Sequence, residues 1–205
     1  MKKTLLAAAG AFLIIFAACK KENVTNGIII QSHDANRMMD TMHAMMDRMM
    51  ARTMTMDPDI DFPEMMMMHH EGAISMANVE LQAGKNDSLK RFAQKVIRDQ
   101  EAEIMQFETI LATLSVDTMD MAYMEEQMNN MDKMDKTVDA QPITGDIDND
   151  FATIMMLHHQ AAIDDASGYL HHGNNTTLKT IATNIILAQT QEIGELADWL
   201  KANKR

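Results

Sequence analysis

Asp61-Phe62-Pro63-Glu64-Met65-Met66-Met67-Met68-His69-His70-Glu71-Gly72-Ala73-Ile74 returns 89 positions later as Asp150-Phe151-Ala152-Thr153-Ile154-Met155-Met156-Leu157-His158-His159-Gln160-Ala161-Ala162-Ile163. The register holds well past the histidines. Ala77, Gly84, Asn86, Leu89, Gln100 and Glu103 meet Ala166, Gly173, Asn175, Leu178, Gln189 and Glu192 without a gap. A fixed period of this kind marks an internal duplication, and a unit that cannot bury its apolar face alone is expected to pair with its copy.

Each copy reads as a helical hairpin. Asp61 is the expected N-cap, with Pro63 in the first turn and Glu64 three residues on. Phe62, Met66, His70, Ala73, Ala77 and Leu81 then recur at the three-and-four spacing of one buried face, and Gly84 predicts a left-handed stop. Asn86 or Asp87 caps the return helix, whose inward stripe is Leu89, Ala93, Val96, Gln100, Glu103, Phe107 and Leu111. The copy runs Phe151, Met155, His159, Ala162, Ala166, Leu170 up to Gly173, then back through Leu178, Ala182, Ile185, Gln189, Glu192 and Leu196. The expectation is an all-α four-helix bundle made of two duplicated hairpins. In an antiparallel hairpin, residues equidistant from the turn lie level, which pairs His70 with Gln100, His69 with Glu103 and His159 with Gln189. Pairing the hairpins then stacks histidine, glutamine and glutamate in one mid-bundle layer.

The methionine run into His-His-x-x-Ala-Ile, followed about thirty residues later by Gln-x-x-Glu-Ile and all of it doubled, resembles the bacterial domain-of-unknown-function 305 family. The resemblance covers residues 57–200 and implies a ferritin-like four-helix bundle, often exported, in a family with members linked to periplasmic copper binding. The second copy departs from the first. It carries Ile154 and Leu157 for Met65 and Met68, and Asp165 where Met76 stands, so the paired positions need not bind metal alike.

At the N-terminus, Lys2 and Lys3 precede the apolar run Leu13-Ile14-Ile15-Phe16, then Ala17-Ala18 and Cys19, the chain's only cysteine. Residues 1–18 read as a lipoprotein signal peptide, Cys19 as the lipidation site and residues 19–30 as an anchored tether. The Ile28-Ile29-Ile30 run is expected to pack as a staple. Without Lys2 and Lys3 the mature chain holds 16 basic against 30 acidic residues, a net charge of −14 that disfavours nucleic acid and favours cations. Nothing from Val24 onward is long and apolar enough to cross a membrane, so the anchor is the expected membrane contact, with the chain facing the periplasm or outer surface.

Methionine is placed rather than spread. Residues 31–59 hold nine of the 24 methionines and no Leu, Ile, Val, Phe, Trp or Tyr, so a helix built only to pack is a poor explanation. Residues 31–56 are expected to form a Met/His-rich helix with Met38, Met42, Met45, Met46 and Met49 on one arc and His43 beside it. Methionine returns in residues 117–137, where Met121, Met124, Met128 and Met131 predict a second stripe. The bundle is then expected over 57–204, with repeats at 61–114 and 150–203 and a Met-rich connector at 115–149.

A thioether is neutral, polarizable and never protonated, so it suits Cu(I), the favoured ion, or Ag(I), where hard carboxylates do not. It also survives an oxidising envelope that would consume thiols, and His33 and His43 would extend the site to Cu(II). The candidate metal ligands are Met38, Met42, His43, Met45, Met46, Met49, Met66, His69, His70, Glu103, His158, His159 and Glu192, with residues 65–68 offering partners across an interface. Two other readings stand beside sequestration or delivery of copper to an efflux or acceptor protein. A His/Glu site in the bundle core would serve a redox enzyme, although the Glu-x-x-His repeat of di-iron bundles is missing and nothing in the sequence establishes turnover. Adaptable methionine faces would serve a protein-interaction module. The His-Gln-Glu layer also reads as a plain hydrogen-bond network that fixes how the hairpins pair.

Overall fold

The computed structural model describes residues 31–203, together with the backbone of two short strands, β1 (Val24–Thr25) and β2 (Ile28–Ile29). The expected signal peptide, Cys19 and the side chains of the isoleucine staple lie outside the described residues. The strands pair antiparallel, Val24 with Ile29 and Thr25 with Ile28. Six helices follow: α1 (Arg37–Ala51), α2 (Pro58–Ala83), α3 (Asp87–Leu111), α4 (Met121–Asp139), α5 (Ile147–His172) and α6 (Thr176–Ala202). The expected all-α bundle is observed: α2 packs with α3, α5 with α6, and α2 against α5.

The central pair is α2 and α5, whose buried residues occupy nearly every face. Helices hydrophobic all round belong in the middle of a packed domain. The outer helices carry narrower stripes, and those of α3 and α6 follow the expected Leu89, Ala93, Val96, Gln100, Phe107 and Leu178, Ala182, Ile185, Gln189, Glu192, Leu196. The methionine-rich helix α1 lies on α2 and reaches α5, whereas α4 packs along α5. The duplication therefore extends upstream of the hairpins, because α1 and α4 keep the same offset: Met42, Met45 and Met49 correspond to Met131, Met134 and Val138, all buried.

Two local expectations are corrected. The long helices start four residues earlier than Asp61 and Asp150 suggest, at N-caps Asp57 and Asp146, with Pro58 opening α2. Asp61 and Asp150 instead turn backward onto the preceding loop. Asp61 accepts from Thr55 N (2.9 Å), Thr55 Oγ1 (3.0 Å), Met56 N (2.7 Å) and Arg52 Nη1 (3.0 Å). Asp150 accepts from Thr144 N, Thr144 Oγ1 and Gly145 N, each at 2.8 Å. The second correction concerns Gly84 and Gly173, which end their helices in extended rather than left-handed backbone (φ −65°, ψ 158° and φ −66°, ψ 158°). Glycine is needed there for close approach: a Cβ would fall on the Glu80 carboxylate in one copy and on the Tyr169 ring in the other.

The caps that the duplication suggested do hold. Asn86 accepts from Ser88 N and Leu89 N, and Asn175 from Thr177 N and Leu178 N, so each return helix has its first free N–H groups satisfied.

Candidate metal centre

Because α2 and α5 run antiparallel about a pseudo-two-fold, equivalent positions meet at their midpoint. His69 lies on His158 there, ring centroids 3.7 Å apart and tilted by 40°. One residue further round each helix, His70 and His159 turn into their own hairpins. His70 Nε2 stands 2.7 Å from Glu103 Oε2, and His159 Nε2 stands 3.0 Å from Glu192 Oε2. The level pairing of His69 with Glu103 is thus shifted by one: His69 faces the other hairpin, and the glutamate belongs to His70. Lys95 Nζ donates to Glu192 Oε1 at 2.6 Å and links α3 to α6. Gln100 and Gln189 are buried in the same layer, and neither Oε1 has a donor among the described residues.

All four histidines are fully buried. Burial, and then the neighbouring His70 and His159, holds His69 well below the usual imidazole range. Burial again leads for His158, followed by His69, His159 and His70. Both central imidazoles are neutral at physiological pH, so each keeps one ring nitrogen with a free lone pair. Burial alone would raise the Glu192 carboxyl, but His159 and Lys95 outweigh it and hold it lowered.

The stripe of α1 is buried as expected: Met38, Met39, Met42, Met45, Met46 and Met49 are all 0–4% exposed, while Arg37, Asp40, Asp47 and Arg48 face outward. The histidine layer meets the methionine array at His158. Met45 Sδ lies 3.3 Å from His158 Nε2. Met45 is let in by Gly72, where any Cβ would fall on the sulfur. Met65, Met76 and Met155 share this core with α1.

Other candidates are placed elsewhere. Met66 packs in a separate cluster with Phe62, Phe107 and Tyr169. His43, one position round from Met42, points outward to Asp139 at 3.1 Å, and His33 Nε2 contacts the Gln141 carbonyl at 2.9 Å. The expected α4 stripe is also corrected. Met121 and Met128 are 57% and 49% exposed, and the buried face is Tyr123, Gln127, Met131, Met134 and Val138. That face continues the offset of α1, a register that the duplication already contained. Among the described residues, no group of three or more His, Cys, Asp and Glu side chains is arranged to hold an ion. Sequence reasoning missed Gly72, whose signal was a lone glycine inside a helical repeat that has alanine in the other copy.

No curated protein matches the sequence. The fold is similar to that of CopM, solved in a Cu(I)-bound form (27% identity, TM-score 0.55, covering 72% of this chain and 98% of that one). It is likewise similar to CopM in an Ag-bound form (29%, 0.54, 72% and 97%) and in the apo form (30%, 0.54, 72% and 98%). The model of the domain of unknown function DUF305 matches twice, at residues 14–111 and 112–200, so each match spans a methionine-rich helix and the hairpin after it. With nearly its whole length matched in two copies, this chain belongs to the DUF305 family.

Proposed function

We propose that this protein is an envelope lipoprotein, tethered through Cys19, that binds soft copper in a methionine–histidine core and holds it for sequestration or release to an efflux or acceptor protein. Cu(I) is the favoured ion, and Ag(I) and Cu(II) fit the same donors less selectively. The observation that carries this reading is the 3.3 Å approach of Met45 Sδ to His158 Nε2. Two ligands that share one first-row ion at about 2.0–2.3 Å stand roughly 3.5 Å apart at a tetrahedral angle. The same spacing serves an Nε2–H···Sδ hydrogen bond when no ion is bound and a shared ion when Nε2 carries the lone pair, in a buried surrounding that discriminates against hard, strongly hydrated cations.

Support comes from the likeness to CopM, which has been solved with Cu(I), Ag and Cu(II) bound. The acidic surface, −14 for the mature chain, gathers cations towards it. Among the described residues no helix is long and apolar enough to cross a membrane, which accords with attachment by lipid.

X-ray absorption at the copper edge tests the reading. The chain from residue 19, with Cys19→Ser so that no thiol competes, is loaded with Cu(I) without oxygen. A first shell containing thioether sulfur together with imidazole nitrogen is expected. A shell of nitrogen and oxygen alone would overturn the assignment.

A further inference from the structure

We propose that the core is one-sided: it takes a single soft cation, between Met45, His158 and His69, and the pair Gly72 and Ala161 decides which side is open. This rests on the copper reading above and adds to it where the ion sits and how many the core accepts.

The two halves start equivalent. Met45 on α1 and Met134 on α4 hold the same register, as do His158 and His69. The pseudo-two-fold would carry the contact between Met45 and His158 onto Met134 and His69. It does not: neither ring nitrogen of His69 has a hydrogen-bond partner among the described residues. Met134 instead borders a shallow cavity of about 50 Å³ with Leu157, Ala161 and Asp164.

The cause is one methyl group. A Cβ on Gly72 would fall on Met45 Sδ, and would also stand 2.9 Å from Met45 Cγ and 3.2 Å from Met45 Cβ. Swinging the thioether aside would relieve the first two of these but not the last, where α1 would have to give by a few tenths of an ångström. Ala161 carries that methyl in the second half. There α4 makes its close approach two turns later, at Gly168, where a Cβ would stand 2.8 Å from Glu126 Oε1 and 3.2 Å from Gln127 Nε2. The first copy has Val79 at that position. The two methionine-rich helices therefore keep one register on equivalent hairpins, Met134 still bordering Ala161, but each comes closest at a different point along it, α1 at Gly72 and α4 at Gly168.

The donors change with the docking. Met38, Met46 and Met76 of the open half correspond to Gln127, Asp135 and Asp165 of the closed half, so soft sulfur gives way to hard oxygen and amide. In the open half the donors are one thioether, His158 Nε2 and a free nitrogen of His69, whose ring lies against that of His158. Three neutral donors suit a soft monovalent ion.

Ag(I), which needs no reductant, is the probe. The chain from residue 19 with Cys19→Ser is titrated as such and as Gly72→Ala, Met45→Leu and Ala161→Gly, followed by the ¹⁵N shifts of the histidine ring nitrogens and by total bound silver. One equivalent is expected to move His158 and His69 together, leaving His70 and His159 in place. Gly72→Ala and Met45→Leu should each weaken that step by about tenfold or more, while Ala161→Gly leaves it intact. Met45→Leu conserves volume and decides the matter if Gly72→Ala does not fold. Silver bound with the His158 shift unchanged by both variants would overturn this inference and leave the copper reading standing. No bound silver in the parent chain would overturn both.

Discussion

Asp59 on α2 and Asp148 on α5 each secure the turn of the opposite hairpin. Asp59 Oδ1 accepts from Asn174 N (2.9 Å) and Asn175 N (3.1 Å), and Asp148 Oδ1 accepts from Lys85 N (2.7 Å) and Asn86 N (3.0 Å). This exchange sets α2 antiparallel to α5 in a single register, and that register lays His69 on His158. Hydrogen bonds to a charged acceptor contribute roughly 1.5–3 kcal/mol, and losing the acceptor strands two turn amides. Asp148→Ala should cost about 2–3 kcal/mol in urea unfolding. Asp59→Ala should cost at least as much, because Asp59 Oδ1 also accepts from Tyr169 Oη at 2.6 Å.

Stability should fall as pH rises through neutrality. Glu80 is fully buried beside Asp148, and burial, then Asp148, pushes its carboxyl from an ordinary 4.5 up to about 8. Glu80 thus holds a proton for Asp148, as the Tyr169 hydroxyl does for Asp59 in the other copy. Burial likewise pushes Asp165 from 3.8 up to about 7. Between the unfolded and folded values the native state binds more protons than the unfolded chain, so this stability is complete below about pH 4 and lost by about pH 8. His172, raised first by its hydrogen bond to Asp120, adds a loss in the same direction above its ordinary 6.5. Glu80→Gln should lose less stability than the parent between pH 5 and pH 8.5, compared by urea midpoints.

Met56 adopts φ 69° where the second copy has Gly145 at φ 77°. An L-residue with a side chain is strained in this region, by about 1–2 kcal/mol, and glycine is not. Its N–H is nonetheless held by Asp61 at 2.7 Å, which keeps the turn. After the extra chain entropy of glycine is deducted, Met56→Gly should stabilise the fold by up to about 1 kcal/mol. Gly145→Ala should destabilise it, both read from thermal unfolding.

Peroxide should sort the methionines by position. Met50, Met105, Met119, Met121 and Met128 are exposed, whereas the α1 stripe is not. Peptide mass spectrometry under limiting oxidant should find sulfoxide first at the exposed group, with Met42, Met45 and Met49 oxidised only as the protein unfolds. Early oxidation of Met45 would mean that α1 does not cover α2.

The duplication made the hairpins and the return-helix caps at Asn86 and Asn175 legible in the sequence, and the helical spacing of Met38, Met42, Met45, Met46 and Met49 made the buried face of α1 legible. The N-cap was misread because Asp61 and Asp57 are both good caps, and only the loop amides of Thr55 and Met56 decide that Asp61 turns backward. The role of Gly84 depends on where the Glu80 side chain lies, which spacing does not specify. For the metal centre, the residue types were legible but their partners were not. Residues 69 and 70 both lie near the core, and which one faces the other hairpin depends on a helix rotation of about 100°. The contact of Met45 with His158 needs α1 to sit between α2 and α5, a relation between distant segments that no local pattern encodes.

The most direct measurement is an anaerobic Cu(I) competition titration against a chromophoric chelator, on the chain from residue 19 with Cys19→Ser and on the same chain with Met42, Met45, Met46 and Met49 all changed to leucine. Leucine keeps the volume of the stripe, so the fold should survive at a cost of less than about 1.5 kcal/mol per site. Tight Cu(I) binding in the parent, lost in the four-leucine variant, is the expected result. Equal binding in both would contradict a methionine–histidine core and move the metal to the pairs His70–Glu103 and His159–Glu192.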